Sequence, residues 1–382
     1  MIEPFTIEIS QSALDDLRRR LARTRWPEPE PVGDWSQGVP LRQLQELCAY
    51  WADGYDWRAT ERRLNAIPQF RTEIDGVQIH FLHVRSPRPD ATPLVLTHGW
   101  PGSFCEFEQA IGPLTDPERH GGDPADAFDV VVPSLPGYAF SGTPSTTAWG
   151  IHRIARAWCE LMTRLGYDRF VAAGSDWGTS ISTSIALQRP DRLLGLHLVP
   201  PLAAPDRDAP DLTDAERSAL DDLDERTRTG SGYSAMHSTR PQTVGYGLVD
   251  SPSGLAGWIG EKLWLWADRS SGGLTRDQML DDLSIYWFTG TAASSARLYW
   301  ESIDEVAPWF TSATADTIAV PTGASVFPAE APRPSRRWAE RRFTNIVHWS
   351  EPPRGGHFGA WEQPGLFVAD VRATARALRR TS

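Results

Sequence analysis

The stretch Val171-Ala172-Ala173-Gly174-Ser175-Asp176-Trp177-Gly178 constrains this chain more than any other. An apolar run ends in small-X-Asp-X-small, and a helix-forming segment, TSISTSIALQR, follows at once. A tight strand-to-helix turn suits that order. The residue at its tip is held in a strained backbone, and glycines two places to either side remove side chains that would collide. Such an elbow serves to expose a nucleophile. Here its tip is Asp176, where serine is usual. The alternative is a plain turn whose aspartate caps the helix.

The surrounding pattern gives the elbow a sheet to stand on. Short apolar runs, PLVLTHG, FDVVVPS, RFVAAGSD and LLGLHLVP, are separated by helical stretches. One of these, IARAWCELMTRLG, carries Ile154, Trp158 and Leu161 on one face and stops at Gly166. Strand-helix-strand alternation predicts an α/β fold with a mostly parallel central sheet and helices on both faces. With the elbow, that is the α/β-hydrolase fold. Residues 1–90 form an N-terminal extension, helical and irregular to about residue 70, followed by a hairpin around Asp75-Gly76. Residues 91–204 are the first part of the core. From 205 to 310 the strand signals vanish and a segment rich in tryptophan and tyrosine predicts an inserted helical cap. Residues 311–382 complete the core with DTIAVPTGASVF, FTNIVHW and a closing helix.

Aspartate at the tip carries a chemical consequence. Serine attacking a saturated carbon would leave an ether with no hydrolytic exit, whereas a carboxylate leaves an ester that water can cleave. The electrophile is therefore an sp3 carbon bearing a leaving group. His357, in Arg354-Gly355-Gly356-His357-Phe358-Gly359, follows the last strand, where this fold carries its base. The orienting acid must lie between the cap and His357. Glu330, just past a strand in Val326-Phe327-Pro328-Ala329-Glu330, meets that condition, with Asp316 and Glu351 as rivals. Two N–H groups complete the predicted set as an oxyanion hole. One is that of Trp177, after the nucleophile; the other is that of Trp100, in Thr97-His98-Gly99-Trp100-Pro101-Gly102, since Pro101 has none.

Composition narrows the partners. A net charge of −11 and a pI near 5.3 argue against nucleic acid and anionic membrane, which repel an acidic surface. Cys48, Cys105 and Cys159 make neither a disulfide framework nor a metal pair, which suggests a reducing cytoplasm and neither metal nor cofactor. No apolar run at the N-terminus is long enough for a signal or an anchor. A small neutral substrate fits, and neither monomer nor homodimer is favoured. Lys262 is the only lysine, a skew that reads as genome composition.

Taken together the motifs resemble the epoxide hydrolases of the microsomal and juvenile-hormone type. The likeness runs through RTRWP, YDWRATERRLNAIPQF, HGWPGSFCEFE, PSLPGYAFS, GSDWG and RGGHFGAWEQP, nearly the whole chain. It implies a soluble, bacterial-type member that turns an epoxide and water into a vicinal diol. Matching the motifs implies that two cap tyrosines, Tyr233 and Tyr299, are the ring-opening acids, with Tyr246 and Tyr286 disfavoured, and that Glu330 is the acid beside His357. A bulky apolar or aromatic epoxide is expected, in detoxification or in natural-product and antibiotic biosynthesis. Two other readings compete. A haloalkane dehalogenase shares the aspartate elbow, with Trp177 as a halide donor, but lacks this extension. A non-catalytic ligand binder would show a broken triad.

Overall fold

The computed structural model describes residues 1–312 and 316–381. Among the described residues nine strands form one sheet: β1 Ile2–Pro4, β2 Gln69–Ile74, β3 Val77–Val84, β4 Thr92–Thr97, β5 Phe128–Pro133, β6 Phe170–Ser175, β7 Leu193–Val199, β8 Thr322–Ser325 and β9 Ile346–Ser350. Their order is β1-β2-β3-β5-β4-β6-β7-β8-β9. β1, β2, β3 and β5 pair antiparallel, and from β5 through β4 to β9 the pairings are parallel. β4 and β6 sit at the centre, where helices cover both faces. Leu94 to Thr97 and Phe170 to Ser175 are accordingly buried without alternation. The fold is that of an α/β hydrolase.

The hairpin forms where Asp75-Gly76 predicts it. Both residues have positive φ, 51° and 77°, as the two central residues of a type I′ turn require. Two details differ from the sequence reading. β1 lies in the region read as helical and irregular; three residues at an edge, mostly exposed, carry no alternation to detect. The run DTIAVPTGASVF yields only the short β8, because Pro321 interrupts it; upstream of that proline, Ile318 makes one isolated bridge to Phe343.

Between β7 and β8 lies a wholly helical excursion, from Asp214–Glu225 to Ala292–Thr311. It is tied to the N-terminal segment as well as to the sheet. Asp281, in the helix Arg276–Thr289, is buried and accepts from the Tyr55 and Thr60 hydroxyls, each at 2.7 Å, while Arg63 pairs with both Asp281 and Glu108. The Trp51 indole donates to Ser284 at 2.9 Å. Asp281→Ala removes the acceptor shared by two buried hydroxyls and one of the two carboxylates paired with Arg63. It is expected to destabilise the fold by about 2–4 kcal/mol, read as a lower urea midpoint at unchanged m-value.

Candidate active site

Register sets where the central strands end. Thr97 of β4 pairs with Gly174, and Ser175 of β6 with Val199 of β7, so the chain leaves the sheet's carboxyl edge at Asp176. That edge is where open α/β sheets place their ligands. Asp176 has φ 51° and ψ −121°, a backbone costing on the order of 1–3 kcal/mol that persists only where the surroundings demand it. The surroundings are tight. A Cβ at Gly178 would overlap the Thr97 carbonyl, and one at Gly99 would overlap the Asp176 carboxylate itself. The helix Trp177–Gln188 begins at once, yet the Asp176 side chain makes no capping bond to it. Instead Oδ1 accepts the Trp100 N–H at 2.9 Å.

The other carboxylate oxygen faces a histidine. His357, in the loop between β9 and the helix Gly359–Glu362, has Nε2 3.7 Å from Asp176 Oδ2 and Nδ1 2.9 Å from Glu330 Oε2. A carboxylate can only accept, so Nδ1 carries the proton and Nε2 is left as the basic nitrogen. The loop is fastened by the His357 N–H, which donates to the Trp266 carbonyl at 2.9 Å. Glu330 is buried, and its second oxygen accepts the Ala331 N–H at 2.8 Å. Its two rivals are occupied elsewhere: Asp316 pairs with Arg342 at 2.7 Å, and Glu351 is exposed and accepts the Trp349 indole.

Tyr233, in the helix Gly232–Thr239, and Tyr299, in Ala292–Thr311, come down over Asp176 from the helical excursion. Their rings lie 5.7 Å apart and line one cavity, of about 190 Å³, with Asp176, Trp177, Glu330 and His357. Tyr246 is 68% exposed, and the buried Tyr286 hydroxyl donates to the Gly102 carbonyl at 3.1 Å, behind the loop that carries Trp100.

The chain has relatives that share this arrangement's fold and most of its length. Residues 2–107 match the family profile "Epoxide hydrolase N terminus", and residues 92–364 match "alpha/beta hydrolase fold". A Stigmatella aurantiaca protein whose own epoxide hydrolase name is provisional is 50% identical over 382 residues, covering 99% of this chain and 86% of that one. Epoxide hydrolase 1 of Sus scrofa is 36% identical over 97% of this chain and 88% of its own. The solved Aspergillus niger epoxide hydrolase is 32% identical, with a TM-score of 0.89 over 99% of this chain and 97% of that one. The chain belongs to the epoxide hydrolases.

Opening an epoxide with water to a diol is therefore the enzyme's reaction, and its substrate is a small molecule. Among the described residues no helix is long and apolar enough to cross a membrane.

The charges around the candidate site of this epoxide hydrolase are unequal. Burial pushes the Asp176 carboxyl above its ordinary value, against the pull of His357 and of the Trp100 and Trp177 N–H groups. Burial also opposes a charge on His357, but Glu330 and then Asp176 outweigh it and leave the imidazole above the usual histidine value. Glu330 is held below the carboxylate range although buried, because His357 and Arg226 face it.

Sequence reasoning did not single out Arg226. Its Nη1 is 3.5 Å from Glu330 Oε1 and donates to the Ala331 carbonyl, and its guanidinium lies 4.8 Å from the Trp266 ring centroid. Trp266 in turn packs against both His357 and Tyr233. Nothing local in RTRTG distinguishes this arginine from a solvated one. His98, beside the Trp100 turn, is a core residue: Nε2 accepts the Leu135 N–H at 3.2 Å, and burial lowers its pKa to about 4.

Proposed function

We propose that the enzyme opens its epoxide in two chemical steps, through an ester of Asp176. The observation that carries this reading is the divided carboxylate: Oδ1 is anchored by the Trp100 N–H at 2.9 Å, while Oδ2 stands 3.7 Å from His357 Nε2 in the cavity. Oδ2 attacks one oxirane carbon from the side opposite the breaking C–O bond. Tyr233 and Tyr299 hydrogen-bond the ring oxygen, and one of them protonates it as the bond opens. The ester's carbonyl oxygen is then Oδ1, already in the oxyanion hole of the Trp100 and Trp177 N–H groups. His357, oriented by Glu330, takes a proton from water as that water attacks the ester carbon. The Cγ–Oδ2 bond breaks, and the diol leaves with Oδ2.

The experiment follows from that last bond. In a single turnover in heavy-oxygen water, the label is expected in Asp176 and not in the diol. Label in the diol on the first turnover means direct attack by water and rejects the ester.

A cap reading for the helical excursion is part of the same proposal, since the excursion supplies both phenols. Leu202, Leu223, Ile303, Val306 and Phe310 give the cavity an apolar wall. At about 190 Å³ the space is somewhat larger than the roughly 150 Å³ cavity that holds benzene in an engineered protein. An apolar, aryl-substituted epoxide is the proposed substrate class.

Proton affinity gives a further prediction. His357 must be neutral at Nε2 to activate water, so ester hydrolysis rises with pH through the imidazole pKa. Alkylation removes the Asp176 charge, which leaves Glu330 as the carboxylate holding the imidazole up against burial. Glu330→Gln is therefore expected to move the acid limb of ester hydrolysis to lower pH, and to slow its plateau because orientation is lost. An unmoved limb, measured by stopped-flow between pH 5 and 9, removes Glu330 from this role.

A further inference from the structure

The chain's single lysine is buried beside the reaction. Lys262 lies in the helix Pro252–Leu265 and is 6% exposed, rare for a lysine because burial strips its ammonium of water. Its Nζ is 3.1 Å from Glu261 and stands 4.9 Å from the centroid of the Tyr233 ring. The Trp100 indole lies parallel to that ring, with centroids 4.9 Å apart and planes 10° apart. Tyr233 is thus held between an aromatic plane and a cation; burial pushes its phenol above the ordinary value, and Arg226, a second positive charge nearby, pulls against that.

Tyr299 has no such company. It meets Trp100, Trp177, Tyr233 and His237 through ring contacts, and no arginine or lysine among the described residues lies over its ring. Nor is His237 a cation. The Trp258 indole donates to its Nε2 at 2.9 Å, and burial together with Lys262 holds its pKa to about 3.

We propose that Lys262 is a positioning residue for ring opening, which makes Tyr233, not Tyr299, the phenol that gives up its proton. The inference rests on the two-step reading above and deepens it. As Asp176 Oδ2 bonds to carbon, the C–O electron pair passes to the oxirane oxygen and the Tyr233 proton follows it. The phenolate left behind spreads its charge into the ring that faces the ammonium. Attraction between a cation and that ring grows as the ring becomes negative. Tyr299 keeps its proton and hydrogen-bonds the same oxygen. In the second step one hydrogen of the attacking water ends on the second diol oxygen, and the other, carried by His357, restores the phenol.

Single-turnover quench-flow with styrene oxide separates formation of the Asp176 ester from its decay. Lys262→Met is expected to slow formation roughly 3- to 30-fold, the span of a partly to fully desolvated cation–π contact, and to leave decay unchanged. Lys262→Arg restores formation. Tyr233→Phe costs more than Tyr299→Phe, and Lys262→Met adds nothing in the Tyr233→Phe background, because a residue that acts only through a phenol loses its effect with that phenol. Equal slowing of formation and decay, or the same Lys262→Met penalty with and without the Tyr233 hydroxyl, overturns the proposal in favour of packing. A larger loss from Tyr299→Phe overturns the donor assignment. Absence of any ester in the wild type defeats the two-step reading itself, a result distinct from normal ester formation in Lys262→Met.

Discussion

His357→Gln is expected to consume one equivalent of epoxide per active site and then stop. Glutamine occupies similar space but supplies no basic nitrogen at Nε2, the atom 3.7 Å from Asp176 Oδ2. Ring opening needs the carboxylate and the phenols, so it survives; activation of water does not. A positioned base contributes about 10²–10⁴-fold, and steady-state diol formation should fall by that range. Intact-protein mass should rise by the mass of the epoxide, and digestion should put the adduct on the peptide carrying Asp176. Unmodified protein after incubation with epoxide, with turnover lost, assigns His357 to the first step and overturns the proposed division of labour.

The second large effect is expected from Tyr233→Phe combined with Tyr299→Phe. The two rings come from helices far apart in sequence and converge 5.7 Å apart over the elbow. Removing both hydroxyls leaves the developing alkoxide in a buried pocket without a donor. Each positioned proton donor supplies about 10²–10⁴-fold, and because the two serve one oxygen their losses are not independent. The double variant should form neither diol nor ester, so the burst that marks His357→Gln disappears. Both phenylalanines fit the same ring positions, and the thermal midpoint should change little. A normal ester burst in the double variant separates the phenols from ring opening. Together the two variants divide the cycle: one stalls after the covalent bond forms, the other before.

Much of this site was legible because its logic is local. The elbow is a pattern of small residues two places either side of Asp176, and the backbone there has the strained φ that such spacing implies. His357 sits in a glycine-flanked loop whose place after the last strand follows from chain order. The hairpin at Asp75-Gly76 needs only two residues able to take positive φ. Other elements had no local signal. β1 is held by pairing to Thr72, Arg71 and Phe70, nearly seventy residues away, and three residues cannot show a period. Pro321 shortened β8 by withholding a backbone N–H where the sheet pattern expected continuity.

Choosing among like residues was harder. Glu330, Asp316 and Glu351 are three carboxylates in one stretch, and spacing alone did not separate them; in the fold Asp316 is taken by Arg342 and only Glu330 reaches His357. Tyr233 and Tyr286 both lie on helices of the excursion. Docking of those helices decides that one faces the cavity while the other donates to Gly102.

By itself, then, the sequence determined the sheet-and-elbow architecture, the place of Asp176 at the elbow's tip and the family's reaction, since these depend on periodicity, glycine placement and chain order over a few residues. Tertiary structure alone decided the electrostatics. Arg226 against Glu330 and Lys262 over Tyr233 are contacts across 104 and 29 residues of chain, made where the excursion closes on the sheet. Their effect depends on burial and on distances of a few ångströms. A cation's sign is written in the sequence, but which buried ring or carboxylate it faces is set by how the helices pack.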